Sequence, residues 1–201
     1  MYEIERKFKI TPAEYIILQT KLWYLHRPVQ KQSSDPYIDI ATQCRKEKVA
    51  QKDYFLYKDS QRLLRLREEK ETSGQRSHSQ TLTFKTIKKG EKFEKEWKIP
   101  FKIPNFLLKS FKNYQKTRIE FNLRLDKSSP ESVNNYGKFS YIICLDETPW
   151  GHFVELEFLT PQTSSREIKI HTKNFKEIIK LLLDTEKKFA KFSYSDKCME
   201  K

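Results

Sequence analysis

Long apolar runs are missing from this chain, and so are paired cysteines, clustered histidines and glycine-rich loops. No apolar stretch approaches the roughly 18 residues that a membrane-crossing helix needs, so no membrane partner is expected. The three cysteines, Cys44, Cys144 and Cys198, stand far apart without paired metal spacing, which points to free thiols in a reducing cytoplasm. The first residues reach a charged segment at once, with no apolar signal region, so secretion is not expected. His26, His78, His152 and His171 are scattered, and no zinc site is proposed on them. With only four glycines the chain has no Gly-rich phosphate loop, and Gly74, Gly90 and Gly137 are left to mark turns.

What the chain does have is positive charge and enough apolar residues to fold. Forty Lys and Arg against 27 Asp and Glu give a net charge of +13 over 201 residues. That balance favours a polyanionic partner: nucleic acid, an anionic membrane or a phosphorylated small molecule. A hydrophobic content of 37%, with 13% aromatics, supports a core. One domain over 1–201 is expected, because no linker divides the chain.

Period-2 alternation predicts eight strands at 2–10, 51–59, 62–69, 80–88, 91–99, 116–126, 139–147 and 151–159, with a hairpin turning at Lys89-Gly90. Thr11-Pro12-Ala13-Glu14 reads as a capping box with proline at the first helical position. Further helices are predicted at 104–115 and at 173–190, and loops at 26–48, 70–79 and 127–138. Trp23, Trp97 and Trp150 are expected to pack between helices and sheet, and Cys144 to lie in the core.

The charges on these strands are ordered. Glu3, Glu5 and Lys7 share one face of the first strand, opposite Ile4 and Phe8. Arg65 and Arg67 alternate with Leu64 and Leu66, Lys85 with Phe84, and Lys116 and Arg118 with Ile119. Glu94 and Glu96 face away from Phe93 and Trp97; Glu155 and Glu157 face away from Leu156 and Phe158, with Asp146 one strand earlier. An ordinary β-sandwich would turn such faces to water. Exposed faces, however, tend to mix signs within a strand to balance cross-strand pairs. Here acids fill the first, fifth and last strands and bases those between, as expected of one chamber in which bases line a polyanion path and acids hold cations. The fold expected is α+β but mainly β: a closed, eight-stranded antiparallel barrel with a charged lumen and helices packed outside.

In these residues the chain resembles the CYTH superfamily, the triphosphate tunnel metalloenzymes. The E-x-E-x-K signature is Glu3-Ile4-Glu5-Arg6-Lys7, and Q-x-D followed by an aromatic is Gln51, Asp53 and Phe55. L-R-x-R is Leu64-Arg65-Leu66-Arg67, T-F-K is Thr83-Phe84-Lys85, E-x-E is Glu94 and Glu96, and K-x-R is Lys116-Thr117-Arg118. The stretch from Ile143 to Glu157, and Ser193-Tyr194-Ser195 near the end, are most similar to the class IV adenylyl cyclase branch. Two departures are Lys92, where that branch usually carries arginine, and the long 26–48 segment.

The resemblance implies a tunnel that binds a linear triphosphate such as ATP, tripolyphosphate or thiamine triphosphate. Lys7, Arg65, Arg67, Lys85, Lys116 and Arg118 would neutralise phosphate oxygens. Glu3, Glu5, Glu155 and Glu157, together with Asp146, would coordinate Mg²⁺ or Mn²⁺, with Glu94 and Glu96 in a supporting polar role. The general base would be Glu5 or Lys7. Two chemistries fit, cyclisation of ATP to cyclic AMP and pyrophosphate or hydrolysis of a triphosphate, and the first is the expectation. A homodimer is an open option. A non-catalytic module for polyphosphate or RNA is the rival from another class, but it would not require the acidic strands.

Overall fold

A computed structural model describes residues 2–25, 38–71, 78–88, 91–127, 137–160, 164–190 and 193–199. Its strands are β1 (Tyr2–Ile10), β2 (Ile38–Lys58), β3 (Arg62–Glu71), β4 (His78–Lys88), β5 (Glu91–Ile99), β6 (Lys112–Lys127), β7 (Gly137–Thr148) and β8 (Gly151–Thr160). Its helices are α1 (Pro12–Leu25), α2 (Asn105–Leu108), α3 (Ser165–Leu183) and α4 (Tyr194–Met199). The strands close into a barrel in the order β1-β5-β4-β3-β2-β6-β7-β8, with every neighbour antiparallel. The seam is between β1 and β5, where Tyr2 pairs with Phe93.

Both faces of each strand are used. The outward apolar residues of β1, β6, β7 and β8 meet α1 through Tyr15, Leu18 and Leu22, and α3 through Phe175, Ile178, Ile179, Leu182 and Leu183. Phe8, Phe121 and Phe175 are fully buried there, each contributing roughly 1.5–3 kcal/mol by leaving water. A smaller cluster of Tyr54, Leu66 and Leu108 lies outside β2 and β3 under α2. No helix among the described residues is long and apolar enough to cross a membrane.

Local signals explain the element ends. The Thr11 N–H donates to Glu14 Oε2 at 2.8 Å and the Glu14 N–H to Thr11 Oγ1 at 3.2 Å, the reciprocal bonds of a capping box. Ser164 caps α3 by accepting from the Glu167 N–H at 3.1 Å, and Asp184 ends it in the left-handed region at φ 55°. Gly151 has a φ of 116° at the β7–β8 turn, a conformation that a side chain would strain.

Several expectations are corrected. Of the segment expected as a loop at 26–48, residues 38–48 are strand: β2 runs 21 residues and pairs along β6 through register shifts at Cys44/Lys46 and Lys46/Val49. Those irregularities broke the alternation that would have revealed it. The loops expected at 70–79 and 127–138 narrow likewise, since residues 70–71, 78–79, 127 and 137–138 are strand; residues 26–37, 72–77, 89–90 and 128–136 lie outside the described residues, although β4 and β5 still pair up to Lys88↔Glu91. The helix expected at 104–115 shrinks to Asn105–Leu108, because Lys112 onward is claimed by ladder bonds to β2. The third helix starts at Ser165 and stops at Leu183, after which Phe189 bridges to Phe8 and the Ala190 N–H donates to the Lys7 carbonyl at 2.8 Å. α4 was not expected. Trp97 is exposed, with Lys95 Nζ 5.1 Å from its ring centroid, and is not wedged under a helix. Trp23 does pack edge-on to Phe121.

Candidate functional site: a charged chamber inside the barrel

The inward residues of the strands line one cavity of about 1470 Å³. Period-2 geometry sends Glu3, Glu5 and Lys7 into it from β1, Arg65 and Arg67 from β3, Lys85 from β4 and Glu94 and Glu96 from β5. Lys116 and Arg118 enter from β6 and Glu155 and Glu157 from β8. Lys7, Arg65, Lys116, Arg118, Asp146 and Glu155 are buried. So many buried charges persist only because they are paired.

Two fully buried aspartates organise the cations. Asp53 accepts from Arg67 Nε at 2.7 Å and Nη2 at 2.9 Å, from Arg65 Nη1 at 3.3 Å and from the Tyr114 hydroxyl at 3.1 Å. Burial pushes its carboxyl up, but Arg67 and Arg65 hold it far below the usual range. On the other side of β6, Asp146 accepts from Arg118 Nε at 2.6 Å and Nη2 at 2.7 Å, from Lys116 Nζ at 2.8 Å and from the Tyr194 hydroxyl at 3.0 Å. Both oxygens of Asp146 are therefore turned to cations and a hydroxyl. Here it holds Lys116 and Arg118, whereas the sequence reading had grouped it with the metal-binding acids.

Glu155 pairs with Lys7 Nζ at 2.7 Å and with Arg118. Burial raises its carboxyl, yet Lys7 and Arg118 keep it well below the ordinary range. The other acids are differently placed. Burial pushes the Glu3 carboxyl well up, and Glu5 and Glu157 add repulsion, against the pull of Lys85 at 3.9 Å. Glu157 is pushed up to about 7, first by burial and then by Glu155 and Glu5, although Arg118 Nη1 stands 3.5 Å away. Glu94 pairs with Lys85 and lies 3.6 Å from Arg65; despite burial, Lys85 draws it down to about 2. Glu96 is exposed and accepts from the Thr83 hydroxyl at 3.3 Å.

Among the described residues no three His, Cys, Asp or Glu side chains stand at metal-binding spacing. The donor chemistry nevertheless fits Mg²⁺ or Mn²⁺: Glu3, Glu5 and Glu157 are hard oxygen donors whose mutual repulsion a dication would relieve.

The chamber also has two buried polar atoms with no partner among the described residues, Arg65 Nε and Gln51 Oε1. Arg65 Nε is a buried donor in want of an acceptor. Burial and the neighbouring Arg118 lower Lys116 to about 8.

Sequence reasoning had left Asp53, Tyr114, Tyr194, Glu69 and Glu120 out of the site. Asp53 was quoted in Q-x-D, and Glu69 and Glu120 continue the inward alternation of Arg65-Arg67 and Lys116-Arg118 by one step each, so the signal was present. Lys46 reaches Glu69 at 3.3 Å and Glu120 at 3.7 Å, re-aimed by the β2 bulge. Cys144 is buried as expected, but it faces the lumen with its Sγ 3.8 Å from Glu157. The side chain of Lys92 lies outside the described residues.

A family model described as the CYTH domain matches residues 1–193. A solved structure from Pyrococcus horikoshii OT3 is 18% identical, with a TM-score of 0.59 over 99% of each chain. A Vibrio parahaemolyticus protein described as a "putative adenylate cyclase" is 14% identical, with a TM-score of 0.60 over 100% of this chain and 99% of its own. One from Bacillus halodurans, described in the same words, is 14% identical with a TM-score of 0.51, covering 97% of this chain and 96% of its own. At these identities the likeness is one of fold. No curated protein matches the chain.

Proposed function

This chain belongs to the CYTH domain family, and from that membership we propose that it is a divalent-metal-dependent enzyme acting on a linear triphosphate inside its barrel. The observation that carries the reading is Arg65 Nε, a buried guanidinium donor left without an acceptor among the described residues, in a chamber that Lys7, Arg67, Lys85, Lys116 and Arg118 also line. A phosphate oxygen satisfies that donor, whereas an RNA or protein partner outside the barrel would not.

Arg65, Lys85, Lys116, Arg118 and Lys7 bind and extend the phosphate chain. Arg67 contributes less directly, because its Nε and Nη2 are spent on Asp53. Glu3, Glu5 and Glu157 hold Mg²⁺ or Mn²⁺, with Glu155 divided between that ion and Lys7. When bound, the ion supplies charge that stabilises the phosphoryl oxygens during in-line displacement. We assign Lys7, held between Glu155 and the Tyr194 ring, to phosphate binding, and Glu5 to the general-base role. Glu94 orders Lys85 and Arg65, and Glu96 orders Thr83.

The finer reading is cyclisation of ATP. The ribose 3′-hydroxyl oxygen attacks the α-phosphorus, the bond to the β-bridging oxygen breaks, pyrophosphate leaves and Glu5 takes the hydroxyl proton. Its support is the likeness of Ile143–Glu157 and Ser193-Tyr194-Ser195 to the cyclase branch. Hydrolysis, with water attacking the terminal phosphorus of tripolyphosphate, thiamine triphosphate or a nucleotide, uses the same cations and is the second reading. A cytoplasmic setting fits the free Cys44, Cys144 and Cys198.

The test is the product profile with ATP and Mg²⁺ or Mn²⁺, resolved by anion-exchange chromatography. Cyclic AMP with pyrophosphate is expected; ADP with orthophosphate would replace cyclisation by hydrolysis. No turnover of any triphosphate at any metal concentration would overturn the enzyme reading.

A further inference from the structure

The outer wall of β3, β4 and β5 carries apolar surface that the chamber does not use. Helices α1 and α3 pack on the apolar residues of β1, β6, β7 and β8, while Leu108 of α2 lies over Tyr54 and Leu66. Strand register continues the apolar surface beyond α2. Leu66 pairs with Leu82 and Leu82 with Trp97; in the next row Leu64 pairs with Phe84 and Phe84 with Lys95. The period of two turns these residues outward, opposite to the lumen-lining Arg65, Arg67, Lys85 and Glu94. Trp97, at the end of its row, is exposed.

The chain between β5 and β6 extends that surface. Ile99, Ile103, Leu108 and Phe111 anchor it by packing with Tyr54 and Leu66, and the Ile103 N–H donates to Gln80 Oε1 at 2.8 Å. With those residues turned to the wall, their neighbours Phe101, Phe106 and Leu107 project into water, both phenylalanines 68% exposed. Scattered exposed apolar residues are ordinary; four large ones along 97–107 on one wall mark an interaction surface. Its charge has one sign. Between Glu96 and Glu120 the sequence holds no acid, and Lys102, Lys109 and Lys112 stand exposed among the apolar positions, with Lys95 Nζ 5.1 Å from the Trp97 ring centroid. Glu68, at the edge of the wall, accepts from the Tyr54 hydroxyl at 3.1 Å and from Gln80 Nε2 at 2.6 Å. A second copy seated here by a two-fold axis would set these lysines against themselves, which charge opposes. Projecting aromatic rings among lysines suit the headgroup boundary of an anionic bilayer, where rings sink into the interface and ammonium groups stay with the lipid anions.

We propose that this wall docks on an anionic lipid bilayer: Trp97, Phe101, Phe106 and Leu107 enter the interface, and Lys95, Lys102, Lys109 and Lys112 meet the headgroups. The contact is peripheral and needs no membrane-crossing helix, so it revises the expectation of no membrane partner. It stands independently of the triphosphate reading. Outward and inward residues of β3, β4 and β5 alternate, so a docked wall leaves the side chains of the lumen untouched.

The experiment is cosedimentation of the full chain with vesicles of phosphatidylcholine alone and of phosphatidylcholine with phosphatidylserine in roughly a 2:1 ratio. Wild type is expected to bind the anionic vesicles at least about tenfold more tightly than the neutral ones, and to be released by ~1 M salt. Phe101→Ser with Phe106→Ser, at exposed positions that do not threaten the fold, should weaken that binding by about tenfold or more. Lys102→Ala with Lys109→Ala should weaken it by about 25-fold, roughly fivefold for each lysine near the surface. Lys173→Ala with Lys180→Ala removes equal charge from exposed positions of α3 and should change binding by no more than about twofold. An equal loss in that α3 variant would make the binding one of net charge alone and overturn the docking wall. Wild type that ignores anionic vesicles, or full affinity in the phenylalanine variant, overturns it too. Gel filtration tests the other occupant: a dimer that Phe101→Ser with Phe106→Ser dissolves would give the wall to a second copy. Poly-glutamate held as tightly as the vesicles, with the phenylalanines indifferent, would give it to an acidic protein and overturn the bilayer.

Discussion

Arg67 grips Asp53 through two parallel hydrogen bonds, Nε to Oδ1 at 2.7 Å and Nη2 to Oδ2 at 2.9 Å, on adjacent strands inside the barrel. This fork is part of the chamber wall. Removing its acid strips half-buried Arg67 of this carboxylate and leaves buried Arg65 with only Glu94 at 3.6 Å. Asp53→Ala is therefore expected to destabilise the fold by roughly 3–5 kcal/mol, lowering the melting temperature by on the order of 10 °C. Thermal denaturation at neutral pH checks it; a shift of a degree or two would show that Arg65 and Arg67 do not depend on Asp53.

The same pair sets an acid limit. Asp53 has its folded pKa depressed by Arg67 and Arg65, so its contribution is present at neutral pH and is lost as pH falls below ~4, where the unfolded chain takes up the proton first. Melting temperature should fall in that range, with a shallower slope in Asp53→Asn, which cannot titrate there. Equal slopes would assign the acid limb to other carboxylates.

Asp146 and Glu5 should separate in a metal titration. Glu5→Gln is expected to weaken Mn²⁺ binding by at least roughly tenfold. Asp146→Asn should leave Mn²⁺ affinity within about twofold, yet lower turnover by about 10²-fold by loosening Lys116 and Arg118. Loss of Mn²⁺ affinity in Asp146→Asn would restore it to the metal set.

Lys7→Ala and Arg65→Ala should each cut turnover by about 10²–10³-fold, since both remove charge from the place where phosphoryl oxygens develop it. Circular dichroism is expected to be unchanged. Wild-type rates in either variant, with a normal spectrum, would remove the barrel lumen as the site.

Outside the barrel, stability should move without activity. The Tyr141 hydroxyl joins His171 Nδ1 at 3.0 Å and accepts from Asn174 Nδ2 at 2.7 Å, all buried between β7 and α3. Tyr141→Phe is expected to cost about 1–3 kcal/mol and leave turnover unchanged. Burial lowers His171 below its ordinary value, so the stability it contributes is present above pH ~6.5 and declines as pH falls below it. Thermal melts from neutral to mildly acidic pH, compared with His171→Gln, check the sign.

The legible parts of the molecule were those written in a period of two. Alternation along Glu3-Ile4-Glu5, Arg65-Leu66-Arg67 and Glu155-Leu156-Glu157 placed charge on one face and apolar residues on the other. Closing such strands satisfies both faces at once. Where the period failed, so did the reading: the bulged start of β2 around Lys46 looked like loop, and Lys112–Gln115 looked like helix until β2 claimed its backbone.

The sequence by itself determined which side chains face the lumen and which sign of charge each strand brings, because a strand's pleat is a local property of the chain. Only the tertiary structure decided which charges meet. Asp146 and Lys116 are thirty positions apart, as are Tyr141 and His171, and Tyr194 lies far in sequence from Lys7. Pairing between strands is fixed by register and barrel closure, which no local pattern encodes. That is why the acids divided, on closure, into Asp53, Asp146, Glu155 and Glu94, which hold cations in place, and Glu3, Glu5 and Glu157, which repel one another.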